Sequence, residues 1–130
     1  MTDSTQQQRH PPKNKGLMDA TYVSLRGLLC LLQKESSARK ELALIFVSVL
    51  SFLAPAPTMT LSYALLGVSV LMLVTECFNS AIERLCDLVH PTYHKDIRDI
   101  KDMAAAGILI LTLCFMALLM AFIADIVLRG

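Results

Sequence analysis

Two long stretches without a charged side chain set the strongest limit on what this chain can fold into. Residues 42–75 and 103–124 contain no Asp, Glu, Lys or Arg, although 18% of the 130 residues are charged. Such segregation is typical of membrane proteins, because an ionised side chain in the hydrocarbon core is costly. With 55% hydrophobic residues and a net charge of +1, the chain has no basic surface for nucleic acid. We therefore predict an all-α membrane protein.

The first part of the chain is more polar and divides into two segments. Residues 1–16 lack the apolar core of a cleavable signal peptide and predict a disordered, mildly basic arm. Residues 17–34 predict an amphipathic helix, because Asp19, Arg26 and Gln33 recur every seven residues on one face. This helix fits two placements equally well. It could lie in the membrane interface, or it could pack on other helices of the same protein.

The remaining residues, 35–130, predict three transmembrane helices. The apolar segment 42–54 has only thirteen residues, so its helix must begin among the charged residues 39–41 before the prolines of 55–58 end it. A second helix begins near residue 61 and ends before Pro91; its first half forms the second crossing, and from Glu76 onward it projects into water or a polar cavity. After a charged loop at 92–102, the segment 103–128 is long enough to form the third crossing.

The distribution of Lys and Arg predicts the orientation of these crossings. The first forty residues contain seven Lys and Arg, and residues 83–102 contain four. The connection at 55–60 contains none. Because positive residues remain on the cytoplasmic side, we expect the N-terminus and the 92–102 loop to face the cytoplasm.

An acidic stripe follows the second apolar run, in the sequence 75-TECFNSAIERLCD-87. On a helix of about 100° per residue, four polar positions fall within about 80° of one another. These are Glu76, Asn79, Glu83 and Asp87. The stripe could simply be solvated, or paired with Arg39, Lys40 and Lys101. Glu76 directly follows the apolar run, and an ionisable group at that depth is a functional candidate.

Further acids on the same side suggest a site for a metal and a nucleotide. Glu35 precedes the first crossing and Asp102 precedes the last one. Clustered carboxylates repel unless a cation joins them, and Mg²⁺ commonly binds one or two carboxylates together with substrate phosphates. Lys101 could neutralise a phosphate charge. No standard glycine-rich phosphate loop can be formed from the five glycines, and the four cysteines lack metal-ligand spacing.

These residues together resemble the prokaryotic diacylglycerol kinases, which are small integral membrane kinases with three transmembrane helices that act as homotrimers. The family pattern is approximately E-x-x-N-[ST]-A-I-E-x-x-x-D, followed by K-D. It is matched here by the acidic stripe and by Lys101-Asp102, and an upstream E-x-x-x-R-x-E element is matched by Glu35, Arg39 and Glu41.

The resemblance implies a role for each matching residue. Glu76 would be the general base toward the lipid hydroxyl, and Asn79 would order the site. Glu35 and Glu83 would hold the Mg²⁺ that is bound to ATP, while Arg39 and Glu41 would lie near the lipid. The implied nucleotide-binding residues, beyond the two metal ligands, are Thr92, Tyr93, His94, Lys101 and Asp102. The implied partners are ATP, diacylglycerol and two further copies of the chain with shared sites, in the bacterial cytoplasmic (inner) membrane.

Three alternatives remain open at this point. Ala104-Ala105 replaces a frequent Gly-Ser, and relatives that phosphorylate undecaprenol also carry alanines there, so the acceptor could be a polyprenol. A non-enzymatic oligomer could use Glu76 and Glu83 to line a proton or cation pathway. A purely structural membrane subunit would not depend on Glu83 at all.

Overall fold

The computed structural model describes residues 16–54 and 59–129, which form four α-helices and no strand within those ranges. The helices are α1 (Leu17–Lys34), α2 (Ser36–Leu50), α3 (Met59–Val89) and α4 (Lys95–Arg129), and a 3₁₀ turn (Ser51–Leu53) follows α2. The all-α prediction is confirmed. Apart from Gly16, the predicted polar arm lies outside the described residues, and so does the proline break at 55–58.

The first two helices are separated by a single residue, Glu35. Its backbone is extended, with φ −106° and ψ 122°, and its N–H donates to the carbonyl of Leu31 at the end of α1. Because the chain leaves the helical region only at this residue, α2 starts at Ser36. The predicted start among residues 39–41 is therefore slightly too late, and those charged residues lie inside the first turns of α2.

Two of the described helices, α3 and α4, are long and apolar enough to cross a membrane. They contain 31 and 35 residues. By contrast, α2 has 15 residues, which corresponds to about 22 Å of helix against the roughly 30 Å of a bilayer core. The fold thus has the two long apolar helices expected of a membrane protein, and the third crossing stays a prediction.

The predicted charged loop at 92–102 is wrong, because α4 already begins at Lys95. Only residues 90–94 connect α3 to α4. Asp96 lies in the first turn, where a negative charge favours the helix dipole, and Arg98 pairs with Asp102 one turn later at 3.6 Å. These local charge interactions extend the helix beyond its apolar part. A high density of charged residues was therefore not a sufficient sign of a loop.

The central helix is α3, which packs against both α2 and α4, while α1 packs against α2 and α3. Six of its eight buried residues recur at alternating spacings of three and four, the spacing of a helix–helix interface. They are Ser62, Leu65, Ser69, Met72, Glu76 and Asn79, and we call them the buried seam. Serine is small enough for helices to approach closely. The seam therefore carries Glu76 and Asn79 between packed helices.

The fourth helix supports the seam from one side. Phe115 and Phe122, which are seven residues apart, form the core cluster with Leu65 and Met72. Nearer the charged N-terminal end of α4, a Cβ atom on Gly107 would lie 3.3 Å from the Cγ2 methyl of Thr75 on α3. The missing side chain at Gly107 therefore permits close approach of α4 to α3.

Candidate functional site

The carboxylate of Glu76 lies in a closed environment at the edge of the apolar part of α3. Glu76 as a whole is only 4% exposed. The hydroxyl of Ser37, on α2, donates a hydrogen bond to Glu76 Oε1. A hydrogen bond to a charged group is stronger than one between neutral groups and fixes its direction. The packing of α2 on α3 thus orients the carboxylate that the sequence indicated as a functional candidate.

A second carboxylate, Glu41, lies beside the first. It is 5% exposed, and it is close enough to Glu76 for their two charges to repel. Its Oε2 atom is buried and has no hydrogen-bond partner among the described residues. An unsatisfied buried polar atom is costly, so this oxygen is suited to accept a hydrogen bond from a bound molecule. Glu41 and Ser37 are one turn apart, which places both on the α2 face that meets α3.

The next residue of the buried seam, Asn79, connects Glu76 to the outer part of the stripe. It is 8% exposed, and its Nδ2 donates to Glu83 Oε1 at 3.1 Å. Its Oδ1 atom is buried without a partner among the described residues. The amide therefore orders Glu83 and leaves one oxygen available to a ligand.

The outer end of the stripe meets α4 rather than α2. Lys101 Nζ lies 2.5 Å from Asp87 Oδ1, which agrees with the interpretation that Asp87 is paired. This bond, with smaller contributions from Cys86 and Glu83, raises the pKa of the Lys101 ammonium, which lies outside the uncharged part of α4. About 16 Å of helix separates Glu76 from Asp87, so the stripe has an inner end at α2 and an outer end at α4.

The outer end opens into a cavity of about 310 Å³ between the end of α3 and the start of α4. Five residues predicted to bind nucleotide line it together, namely Thr92, Tyr93, His94, Lys101 and Asp102. The rings of His90 and His94 lie 5.1 Å apart on its wall. The cavity thus combines aromatic surfaces with charges of both signs.

Two other predicted site residues form their contacts away from the buried carboxylates. Glu35 forms an ion pair with Arg84 Nη2 at 2.8 Å, and this pair joins the α1–α2 junction to α3. Arg39 donates to the backbone carbonyls of Leu32 and Gln33, the last turn of α1. Neither of these two side chains is hydrogen-bonded to the buried carboxylates.

Two residues of the site were missed by sequence reasoning. Ser37 stands one turn before Glu41, so the shared helical face was the available signal. Arg84 follows Glu83 directly, and in the sequence it contributes only to the positive charge from which the orientation is predicted. Small polar residues at helix interfaces carry little signal in a single sequence, since serine is common in both exposed and buried positions.

The predicted donor atoms are of the type that suits Mg²⁺, although Glu35 is paired with Arg84 in this structure. Glu35, Glu83 and the unpartnered Asn79 Oδ1 are oxygen donors, which Mg²⁺ prefers. No group of three or more His, Cys, Asp or Glu side chains in residues 16–54 and 59–129 could hold a metal ion by itself. The four cysteines are free thiols. Two or three protein oxygens do not complete the octahedral coordination of Mg²⁺, so water or phosphate oxygens would supply the remaining ligands.

The described residues form helices and short connections, and two of the helices are apolar and long enough to cross a membrane, so the fold is that of a small helical membrane protein. The family described as prokaryotic diacylglycerol kinase matches residues 22–124. The diacylglycerol kinase of Helicobacter pylori (strain ATCC 700392 / 26695) is 37% identical over 106 residues, covering 77% of this chain and 80% of that protein. The chain belongs to the prokaryotic diacylglycerol kinase family, and these similarities support a lipid kinase activity.

Proposed function

We propose that the chain transfers the γ-phosphoryl group of ATP to the hydroxyl of diacylglycerol, giving phosphatidic acid and ADP. The observation that carries this proposal is the buried Glu76, which is oriented by Ser37 at the edge of an apolar helix. In this proposal Glu76 lies next to the lipid hydroxyl, at the depth in the bilayer where the glycerol group of a membrane lipid lies. The name of the Helicobacter pylori relative supports diacylglycerol as the acceptor.

The proposed reaction needs one proton transfer and one displacement at phosphorus. Glu76 accepts the proton of the lipid hydroxyl as its oxygen forms a bond to the γ-phosphorus. The bond from this phosphorus to the β–γ bridging oxygen breaks, and ADP leaves with that oxygen. Phosphoryl transfer depends mainly on positioning and charge neutralisation, which a few side chains on rigid helices can provide.

The other residues divide between the two substrates in this proposal. Glu35 and Glu83 hold Mg²⁺, which neutralises phosphate charge when it is bound, and Asn79 orders Glu83. Arg39 and Glu41 contact the lipid. The nucleotide occupies the 310 Å³ cavity and contacts Thr92, Tyr93, His94, Lys101 and Asp102.

We also propose three crossings, a cytoplasmic N-terminus and site, and a homotrimer with shared sites in the bacterial inner membrane. Apolar side chains such as Ile110 and Leu113 are 61% exposed on α4, and neighbouring subunits or lipid would cover them. Mixing subunits that carry Glu76→Gln with subunits that carry Lys101→Ala tests the sharing. Activity should return only if one functional site can take residues from two subunits.

The second candidate acceptor is a polyprenol such as undecaprenol. Ala104 and Ala105 favour it, because neither offers a hydroxyl to a second polar group on the lipid. Both acceptors use the same proposed base and nucleotide residues, so only the lipid assay separates them.

The deciding experiment supplies purified protein in mixed micelles with γ-labelled ATP, Mg²⁺ and either diacylglycerol or undecaprenol. Label in phosphatidic acid supports the first proposal, and label only in the polyprenol phosphate supports the second. If neither lipid is labelled, the kinase proposal fails for these acceptors. Ion flux through liposomes without ATP would then be the next measurement, since a pathway lined by Glu76 and Glu83 predicts it.

A further inference from the structure

Arg84 has no role of its own in the proposed reaction, although it pairs with Glu35, one of the two proposed metal ligands. Together with Cys77 and Ser80, it lines a cavity of about 460 Å³ between α3 and α1. Among the described residues that line this cavity, Arg84 is the one charged side chain. Two of its lining residues, Cys77 and Ser80, directly follow Glu76 and Asn79 in the sequence. The guanidinium is therefore carried by the same helix as the proposed base.

The guanidinium is held at two points. Its Nη2 donates to Glu35 Oε1 at 2.8 Å, and its Nη1 donates to Cys30 Sγ at 3.8 Å. The side chains of Arg84 and Glu35 are 40% and 32% exposed. Ion pairs with this much exposure contribute little to stability, because water screens the charges. Solvent access also means that the pair can exchange partners without opening the core of the fold.

Glu35 cannot keep this pairing unchanged if it also binds the metal of Mg·ATP. If Glu35 turned to Mg²⁺, its bond to the guanidinium would weaken, and the triphosphate that carries the ion would offer Arg84 a new anionic partner. Arginine binds phosphate through two parallel N–H donors, a geometry that lysine lacks. Arg84 also follows Glu83, the other proposed metal ligand, so it is attached to the same turn of α3.

We infer that Arg84 is a further nucleotide-binding residue, which pairs with Glu35 in the free protein and moves to the triphosphate when Mg·ATP binds. This inference rests on the proposed function, because it uses Glu35 as a metal ligand. In the free protein, Arg84 keeps Glu35 from binding a metal ion alone. In the complex, it adds a positive charge to the phosphates.

The inference predicts opposite changes in two affinities for Arg84→Gln. Binding of Mn²⁺ alone, used as a spectroscopic probe for Mg²⁺ and followed by electron paramagnetic resonance, should become about two- to fivefold tighter, because Glu35 loses a partly exposed ion-pair partner. Binding of Mg·ATP, followed by displacement of a fluorescent ATP analogue, should become about tenfold weaker or more, because a charged hydrogen bond to phosphate is lost. Arg84→Lys should lie between the wild type and Arg84→Gln for Mg·ATP, and it provides the readout if Arg84→Gln does not fold.

The matched control is Arg129→Gln. Arg129 also forms a 2.8 Å ion pair, with Asp125, at the opposite end of α4. Arg129→Gln makes the same change in charge as Arg84→Gln, but both affinities should remain at the wild-type values. If Arg84→Gln lowers only the melting temperature and leaves both affinities unchanged, Arg84 contributes only to the stability of the fold and the inference is wrong. If the wild type itself neither binds Mg·ATP nor phosphorylates lipid, the proposed function has failed instead.

Discussion

Replacing Ser37 with alanine should slow phosphoryl transfer while leaving nucleotide binding intact. Ser37 donates to the Glu76 carboxylate, so its removal takes away the group that orients the proposed base. Alanine has a higher helix propensity than serine, and the substitution should not weaken α2. A loss of rate would therefore reflect the missing hydrogen bond.

The size of the effect follows from the charge and burial of the pair. A hydrogen bond to a charged group contributes about 1.5–3 kcal/mol, which corresponds to a change of about 10- to 150-fold in rate. Glu76 is buried, but Ser37 is only half-buried. Water can replace part of its function, so we expect the lower end of this range, about a tenfold decrease in kcat.

The assay is lipid phosphorylation at saturating Mg·ATP and lipid, with KM for ATP measured in parallel. Ser36→Ala is the matched control, because Ser36 is the neighbouring exposed serine in the first turn of α2. Ser37→Thr keeps the hydroxyl and should retain most of the activity. A Ser37→Ala protein with wild-type kcat, or one affected no more than Ser36→Ala, would refute the orienting role.

Three further predictions concern other parts of the structure. Glu76→Gln should reduce transfer to background while Mg·ATP still binds, as measured by displacement of a fluorescent ATP analogue; substantial remaining turnover would place the base elsewhere. Asn79→Ala should weaken apparent Mg·ATP affinity about tenfold, because Glu83 loses its 3.1 Å donor, and an effect on kcat alone would contradict this. Gly107→Ala should lower Tm in detergent, because the new methyl group would lie 3.3 Å from Thr75 Cγ2. Thr75→Ser should raise the Tm of the Gly107→Ala protein, and a double mutant no more stable than Gly107→Ala would contradict this reasoning.

The helical part of the fold could be predicted from hydropathy and from a few breaking residues. The predicted segment 17–34 coincides with α1, and α3 ends just before Pro91, as expected. The break at Glu35 was less visible, because neither proline nor glycine marks it. The start of α4 at Lys95 was missed for a different reason, since its first turns are stabilised by charge pairs rather than by apolar periodicity.

The candidate site could be predicted only as a stripe on one helix. Spacing within α3 placed Glu76, Asn79 and Glu83 on a common face, and the structure extends this with the Asn79–Glu83 hydrogen bond. Which helix faces each end of the stripe depends on packing between distant segments. A single sequence could not show that Ser37 meets Glu76, or that Arg84 meets Glu35, because 39 and 49 residues separate these partners.

The buried seam of α3 has a consequence for which changes in chain length the protein can tolerate. Packing residues such as Leu65 and Met72 share one helical register with the proposed base. One residue inserted between Met72 and Glu76 would rotate everything beyond it by about 100°, and the base would turn away from α2 while the apolar core stayed in place. Insertions between helices change no such register. Variation in length should therefore be confined to the connections, and the distance from the core to Glu76 should be fixed to the residue.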